Sequence, residues 1–251
     1  MRLLLVICFS LLPPLAAHAD LVLRSTHTQA TLLELYTSEG CSSCPPADEW
    51  YSSLRHHPEL WRSVIPLGFH VDYWNYLGWE DRFAKPSYGS RQREYRQQGY
   101  ARGVYTPGVF AGGREWQQWR HSRPIPVTNK TAGLLEIHIG ERDFSASFAP
   151  SDPGTDLVHH LHVALLGNGL KSAIKSGENR GRELRHDFVV LEVSRFTSDN
   201  FRWSGALPAS TLAQAAEALS WVAWVSSGED LTPLQAAGGW ADQESLIDAS
   251  Q

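Results

Sequence analysis

Sulfur is scarce in this chain, which has three cysteines and one methionine among 251 residues. Cys8 and Met1 both lie in the first stretch of the sequence, which is apolar and resembles a secretion signal. Only Cys41 and Cys44 are expected in the mature protein. Any thiol, disulfide or soft-metal chemistry must therefore use this C-x-x-C pair, without help from a methionine.

Long apolar runs and an excess of basic residues are missing as well. No segment after the first stretch approaches the ~20 apolar residues that a transmembrane helix needs. The formal charge of the whole chain is -5, whereas a nucleic-acid binder shows a basic face. The composition therefore predicts a protein with no membrane span and no nucleic-acid partner.

Residues 1–19 have the three parts of a secretory signal. Arg2 supplies the basic start, Leu3–Leu15 the apolar stretch, and Ala17-His18-Ala19 the small-x-small cleavage pattern. We expect cleavage near Ala19 and a periplasmic or secreted mature protein. Disulfides persist in such compartments.

The C-x-x-C pair lies between a predicted strand and a predicted helix. Thr31–Tyr36 is a mostly apolar run, and Cys44-Pro45-Pro46 is typical of a helix start, where proline is tolerated. The free N–H groups and positive dipole end of such a helix favour a thiolate. This arrangement predicts a Cys41–Cys44 disulfide that cycles, with the more exposed Cys41 as nucleophile and Cys44 as resolving thiol.

Two further segments are predicted to border the same site. Val64–Val71 is a second buried strand, and polar residues follow at its end. Thr106-Pro107 precedes a third strand, where a cis X-Pro bond would hold the backbone beside the cysteines. The residues that we assign to substrate binding are Thr106, His70, Asp72 and Trp74. The alternative for His70 and Asp72 is that they are solvated residues at the end of a strand. The alternative for Trp74 is a role in packing.

Residues 72–100 are aromatic and loop-like at first and then resemble a polar, basic helix. Arg91, Arg93 and Arg96 are predicted to form its solvated face. The prolines Pro124 and Pro126 then mark a boundary, after which short β-type runs alternate with turns.

Four segments of the chain resemble the secreted bacterial family catalogued as domain of unknown function 1223, whose fold is thioredoxin-like. The matching segments are LELYTSEGCSSCPPAD, HVDYWNYLGWEDRFAKPSYGSRQREY, VYTPGVFAGG and SGENRGREL. The thioredoxin pattern implies that Cys41 and Cys44 are its redox pair and Pro107 its cis-proline. It also implies a role for Glu34 in moving the proton of the resolving thiol.

From these features we predict an α/β thioredoxin-like domain followed by a mostly-β domain of the immunoglobulin-like sandwich type. The predicted divisions are a signal peptide at 1–19, a thioredoxin-like domain at 20–126 with an insertion at about 72–100, a β-sandwich at 127–237 and a polar tail at 238–251.

The predicted function is thiol–disulfide oxidoreduction on protein thiols or disulfides, with an unknown redox partner and no cofactor. Catalysis is assigned to Cys41, Cys44, Pro107 and Glu34. One alternative is a metallochaperone that holds Cu(I) with Cys41, Cys44 and His70, because soft thiolates select that ion. Another is a non-catalytic binding module in which the disulfide is structural.

Overall fold

The structure, a computed structural model, describes residues 21–121, 124–152 and 158–241. The predicted signal peptide lies outside these residues, as do positions 242–251 of the predicted polar tail. Two α-helices occur in the described part, α1 at Pro45–Ser53 and α2 at Pro86–Gln97. Shorter 3-10 turns lie at Leu54–His56, Asn75–Leu77, Gln117–His121 and Thr211–Ala215. No helix in the described part is long and apolar enough to cross a membrane.

Strands dominate the described residues. They are β1 Leu21–Arg24, β2 Thr31–Thr37, β3 Val64–His70, β4 Gly108–Ala111, β5 Arg114–Glu115, β6 Gly133–Ile139, β7 Asp143–Pro150, β8 His159–Asn168, β9 Leu170–Ala173, β10 Glu183–His186, β11 Val189–Ser198, β12 Arg202–Ala206, β13 Ala218–Ser227 and β14 Gln235–Trp240. Eight of them form one mixed sheet in the order β14-β13-β8-β11-β3-β2-β4-β5. The pairs β2–β3 and β11–β3 are parallel, and the other pairs of this sheet are antiparallel.

The predicted fold class, an α/β thioredoxin-like domain followed by an immunoglobulin-like sandwich, is wrong. The structure is 43% strand and 17% helix, so it is β-rich. Four strands from the second half of the chain, β8, β11, β13 and β14, continue the sheet that β2 to β5 begin. Strand β11 pairs with the edge of β3, so one sheet extends across both halves of the chain.

The junction between the halves depends on a close backbone approach at Gly68. Its N–H donates to the carbonyl of Phe188 at 2.7 Å. A Cβ at position 68 would lie 3.2 Å from that oxygen, which is tighter than most real contacts. Phe188 is fully buried and packs edge-on against Tyr51 and Trp61. Glycine therefore allows β11 to join β3, and aromatic packing stabilises the junction.

A second sheet, in the order β1-β6-β7-β12, packs against part of the large sheet. The apolar side chains between them come from both sheets and include Leu23, Ile137, Phe148, Leu161, Trp203 and Val225. Strand β1 precedes the cysteines in sequence, yet it pairs with β6. The first strand of the described chain thus belongs to a sheet built mainly from its second half.

The two helices contact different faces of β2. Thr37 donates its hydroxyl hydrogen to Asp48 of α1, whereas Glu34 accepts from Arg91 of α2. Residues separated by an odd number of positions point to opposite faces of a strand. The start of α1 and its cysteines therefore belong to the face of the sheet that Glu34 does not share.

Candidate functional site

The cysteine pair closes the loop between β2 and α1. Cys41 and Cys44 form a disulfide, with their Cα atoms 5.5 Å apart. Cys44 is the residue that caps α1, and its carbonyl accepts from the N–H groups of Ala47 and Asp48. The predicted disulfide and its place at a helix N-terminus are both present. Such a position favours a thiolate once the bridge is reduced.

Neither cysteine is open to solvent in this state. Cys41 is 1% exposed and Cys44 is fully buried, whereas Ser42 and Ser43 between them are exposed. The sequence predicts that Cys41 is the more accessible thiol, and the structure does not place it at the surface. A substrate sulfur can reach the bridge only after the covering residues have moved.

One side of the cysteine loop contacts residues 174–182, which join β9 to β10 and are called the cover loop here. The buried side chain of Asn179 donates to the carbonyl of Glu39 at 2.8 Å and to that of Cys41 at 3.0 Å. Glu178 accepts from the backbone N–H of Ser42 at 3.1 Å, and hydrogen bonds from Ser42 lower the pKa of this exposed carboxyl. These contacts attach the cover loop directly to the cysteine loop.

Trp74 packs against the cysteine loop at Gly40 and connects this loop to the predicted proline turn. The backbone at Gly40 lies against Trp74, since a Cβ at position 40 would be 3.1 Å from the Trp74 Cβ. The indole N–H of Trp74 donates to the hydroxyl of Thr106 at 2.7 Å. The Thr106–Pro107 peptide bond is cis. The structure therefore links Cys41, Trp74, Thr106 and Pro107 through neighbouring contacts.

His70 lies at the end of β3 and is buried. Its Nδ1 is 2.7 Å from a carboxylate oxygen of Asp81, which is buried as well. Burial alone would lower the pKa of His70, but the charge of Asp81 and the hydrogen bond to it raise that pKa to about 9. The same pairing lowers the pKa of Asp81 against the effect of burial. His70 is therefore held as an imidazolium at neutral pH.

Three further ionisable residues lie near this pair, and sequence reasoning missed all of them, as it missed Asp81. Glu39 accepts a hydrogen bond from Trp79, and its other carboxylate oxygen lies 3.3 Å from His186 Nε2. The opposite nitrogen of His186 is 3.8 Å from Asp48. Burial raises the pKa of Glu39, but contact with His186 reverses this and its pKa is lowered; burial raises the pKa of Asp48.

These five residues form a buried polar cluster beneath the start of α1. The signal that could have found part of it is local, since Asp48 lies one helical turn beyond Cys44. His186 is far away in sequence, and only the fold of the β9–β10 hairpin brings it to this place.

Glu34 does not contact the cluster. It is fully buried, and its carboxylate accepts from Arg91 at 2.6 Å and from the hydroxyls of Tyr36 and Tyr95 at 3.0 Å each. Arg91 is itself only 12% exposed at its side chain, so it is not part of the predicted solvated face. Glu34 thus forms a buried ion pair with α2, on the face away from α1.

Asp72 also points towards α2. It is half-buried, and its Oδ1 would lie 3.3 Å from a Cβ added at Gly89. The predicted substrate-binding set is therefore divided. Trp74 and Thr106 border the cysteine loop, His70 lies in the buried cluster, and Asp72 borders the second helix.

The Cu(I) alternative needs His70 as a third ligand. That residue is engaged with Asp81, as described above. Within residues 21–121, 124–152 and 158–241, no group of three or more histidine, cysteine, aspartate or glutamate side chains is arranged to hold a metal ion. No observation on the described chain favours the metallochaperone.

Comparison with known families confirms the resemblance to the family catalogued as domain of unknown function 1223. A family model described as a protein of unknown function, DUF1223, matches residues 32–226. No curated protein matches the chain. A crystal structure of a protein from Agrobacterium tumefaciens is similar at a TM-score of 0.59 and 22% identity, covering 87% of this chain and 97% of that one. HBP35 of Porphyromonas gingivalis is similar at a TM-score of 0.56 and 15% identity, covering 87% of this chain and 77% of that one. At these identities the two structures support the fold alone.

Proposed function

This chain belongs to the DUF1223 family of proteins of unknown function, and we propose that it is a thiol–disulfide oxidoreductase acting on protein substrates in the periplasm. The observation that supports this most is the disulfide between Cys41 and Cys44 at the first turn of α1. Helix N–H groups and the helix dipole stabilise the thiolate, which is the reacting species.

The reaction proposed for the reduced protein has two displacements. The Cys41 thiolate attacks one sulfur of a substrate disulfide, a mixed disulfide forms, and the other substrate sulfur leaves as a thiolate. The Cys44 thiolate then attacks the Cys41 sulfur, which releases the second substrate thiolate and closes the Cys41–Cys44 bridge. Two electrons pass from the protein to the substrate, and the released thiolates take up protons from water. The reverse sequence oxidises a substrate dithiol.

In this proposal the turn at Thr106 and Pro107 and the indole of Trp74 border the approach to Cys41. Glu34 receives no role in proton transfer here, because its carboxylate is committed to Arg91 on the other face of β2. Asp48, whose backbone N–H bonds to the Cys44 carbonyl, is the acid closest to the resolving cysteine along the helix.

A structural disulfide is the second candidate, and burial of both cysteines favours it. Its contribution to stability is limited, since the bridge closes a short loop. The chain-entropy model gives roughly 2 kcal/mol for a loop of about four residues, against more than 4 kcal/mol for very long ones. A small gain in stability is a weak reason for placing a bridge at a helix start.

An insulin-reduction assay, with dithiothreitol as the electron source, separates the two candidates. We expect exchange by the wild type, loss of exchange in Cys41→Ser, and accumulation of a mixed disulfide with insulin in Cys44→Ser. Ser43→Ala is the matched control, since its side chain neighbours Cys41 and leaves both thiols in place. Equal rates for wild type and Cys41→Ser would reject the oxidoreductase. The structural candidate predicts that result together with a lower unfolding midpoint for both cysteine variants.

A further inference from the structure

The hairpin β9–β10 and its cover loop are basic, although the protein as a whole is acidic. The segment from Leu170 to His186 contains five basic and two acidic residues, a formal charge of +3, in a chain whose total is -5. The five basic side chains are all exposed and are Lys171, Lys175, Arg180, Arg182 and Arg185. This set is called the basic face here.

Stability of the hairpin does not explain this charge. Arg185 and Lys171 are directly opposite each other in the register of the two strands. Like charges in such a pair destabilise a sheet. Glu217 compensates Lys171 at 2.6 Å, and Glu183 lies 3.9 Å from Arg185. Lys175 and Arg180 have no ion pair within the described part of the chain, so two exposed positive charges remain uncompensated in the cover loop.

The basic face is coupled to the disulfide through one side chain. Arg182 donates to the amide oxygen of Asn179 at 3.2 Å. This contact orients the amide, so that its NH₂ group points at the carbonyls of Glu39 and Cys41. Arg182 is exposed, and a carboxylate arriving from outside would compete with Asn179 for its guanidinium. A ligand of the basic face would therefore act directly on the residue that holds the cover closed.

Glu178 makes a second contact between the cover loop and the cysteine loop that an acidic partner would weaken. Its carboxylate is exposed and accepts from the Ser42 N–H beside the bridge. A negatively charged partner docked on the neighbouring basic residues would repel this carboxylate and weaken the contact. An acidic partner thus loosens both hydrogen-bonded attachments of the cover loop, whereas a basic partner is repelled by the five exposed cations.

We propose that the basic face binds an acidic segment of a partner polypeptide and that this binding opens the cover loop over Cys41–Cys44. Charge complementarity selects the partner, and the Arg182–Asn179 contact transmits its arrival to the bridge. The proposal rests on the proposed function only in that it treats access to the disulfide as the purpose of opening. In the absence of such a partner the bridge stays closed to bulky thiols.

The test measures access to the bridge and needs no enzymatic turnover. The oxidised full-length mature protein is exposed to dithiothreitol, a neutral reductant, and samples are alkylated over time to count free thiols. A cysteine-free glutamate-rich peptide is added in excess, with glutamine-rich and lysine-rich peptides of equal length as comparisons. We expect the acidic peptide alone to accelerate reduction, by about tenfold at low salt, because local opening limits access to a buried bridge. About 0.5 M salt should remove the effect, since exposed charges are then screened.

Variants assign the effect to named residues. Lys175→Gln with Arg180→Gln, which removes two positive charges and adds no carboxylate, should abolish the acceleration and leave the basal rate unchanged. Arg142→Glu, an exposed basic residue in the turn between β6 and β7, is the charge-matched control and should behave as the wild type. Arg182→Gln should raise the basal rate without any peptide, because Asn179 loses its orienting contact.

Equal acceleration by all three peptides, or an equal response of the Lys175/Arg180 variant and the Arg142 variant, would overturn the proposal. So would the lack of any peptide effect. None of these three results affects the insulin assay, so the failure of this inference is distinguishable from the failure of the oxidoreductase. Conversely, a selective acidic-peptide effect in a protein that reduces no insulin would support the docking face and reject the activity.

Discussion

The buried ion pair between Glu34 and Arg91 provides the sharpest test of the fold. Arg91 Nη2 is 2.6 Å from Glu34 Oε1, and neither side chain has substantial access to water. The guanidinium also lies near the rings of Phe69, Tyr95 and Trp224, at 5.2 to 5.8 Å from their centres. Removing one partner leaves a charge without compensation in a dry environment.

We expect Arg91→Met to lower the free energy of unfolding by about 3–5 kcal/mol, which is the cost of breaking a buried pair from one side. Methionine keeps an unbranched apolar stem against the three rings, so most of the loss reports on the stranded carboxylate. Glu34→Gln should cost a similar amount, because it strands the guanidinium. The double variant should cost less than the sum of the two by about 2 kcal/mol or more, since neither charge then remains unpaired.

Urea unfolding at neutral pH, followed by circular dichroism, measures all three variants. Arg96→Met on the same helix is the control; Arg96 is exposed, and its replacement should change stability by less than about 0.5 kcal/mol. Additive losses, or a loss below about 1 kcal/mol for Arg91→Met, would refute the account of a buried and mutually dependent pair. If Glu34 moved a proton for Cys44 instead, Glu34→Gln would slow insulin reduction while still fully folded.

Two other predictions concern the surroundings of the bridge. The pKa of His70 is raised from 6.5 to about 9 in the folded protein, so its pairing with Asp81 stabilises fully below about pH 6.5 and is lost as the pH rises through 9. Between pH 7 and 10 the loss should be about 2.5 kcal/mol by denaturant unfolding, and it should be absent in His70→Gln. Thr106→Val removes the acceptor of the Trp74 indole N–H and should cost about 1 kcal/mol. Faster hydrogen exchange of that indole by NMR would confirm the lost bond, and an unchanged rate would contradict it.

The local features of the site were predictable because they depend on neighbours in sequence. The C-x-x-C spacing and the prolines after Cys44 give the disulfide and the helix start, and Thr106-Pro107 gives the turn. The helix at residues 86–97 was foreseen as well. Its polar composition predicts an exposed Arg91, whereas the side chain is buried in an ion pair with Glu34.

The position of Glu34 could have been inferred more fully. Strand alternation separates it from Thr37, whose neighbour is Asp48 on α1. The predicted proton-transfer role came from the thioredoxin pattern, and the fold class taken from that pattern is contradicted. The alternation of side chains along β2 places Glu34 on the face of the sheet opposite α1.

The buried cluster and the cover loop could not be predicted, because their contacts are long-range. His186 and Asn179 reach the cysteine loop from well over one hundred residues away. Pairing of β11 with β3 and of β9 with β10 sets their positions, and hydrophobic periodicity does not specify such pairings. The motif SGENRGREL contains Asn179 and Glu178. Its sequence alone does not indicate that these side chains form hydrogen bonds with the backbone of the cysteine loop.

The shared edge between β3 and β11 has a practical meaning for shortened forms of the chain. A fragment that stops near position 126 would keep both cysteines but would lack Phe188, whose carbonyl takes the Gly68 N–H. The backbone N–H and C=O groups at the edge of its β3 would then have no partner and would lie beside exposed aromatic rings. Such an edge favours association between copies of the fragment. Fragments chosen to isolate the thiol chemistry would thus report on aggregation, and experiments on the bridge require both halves of the polypeptide.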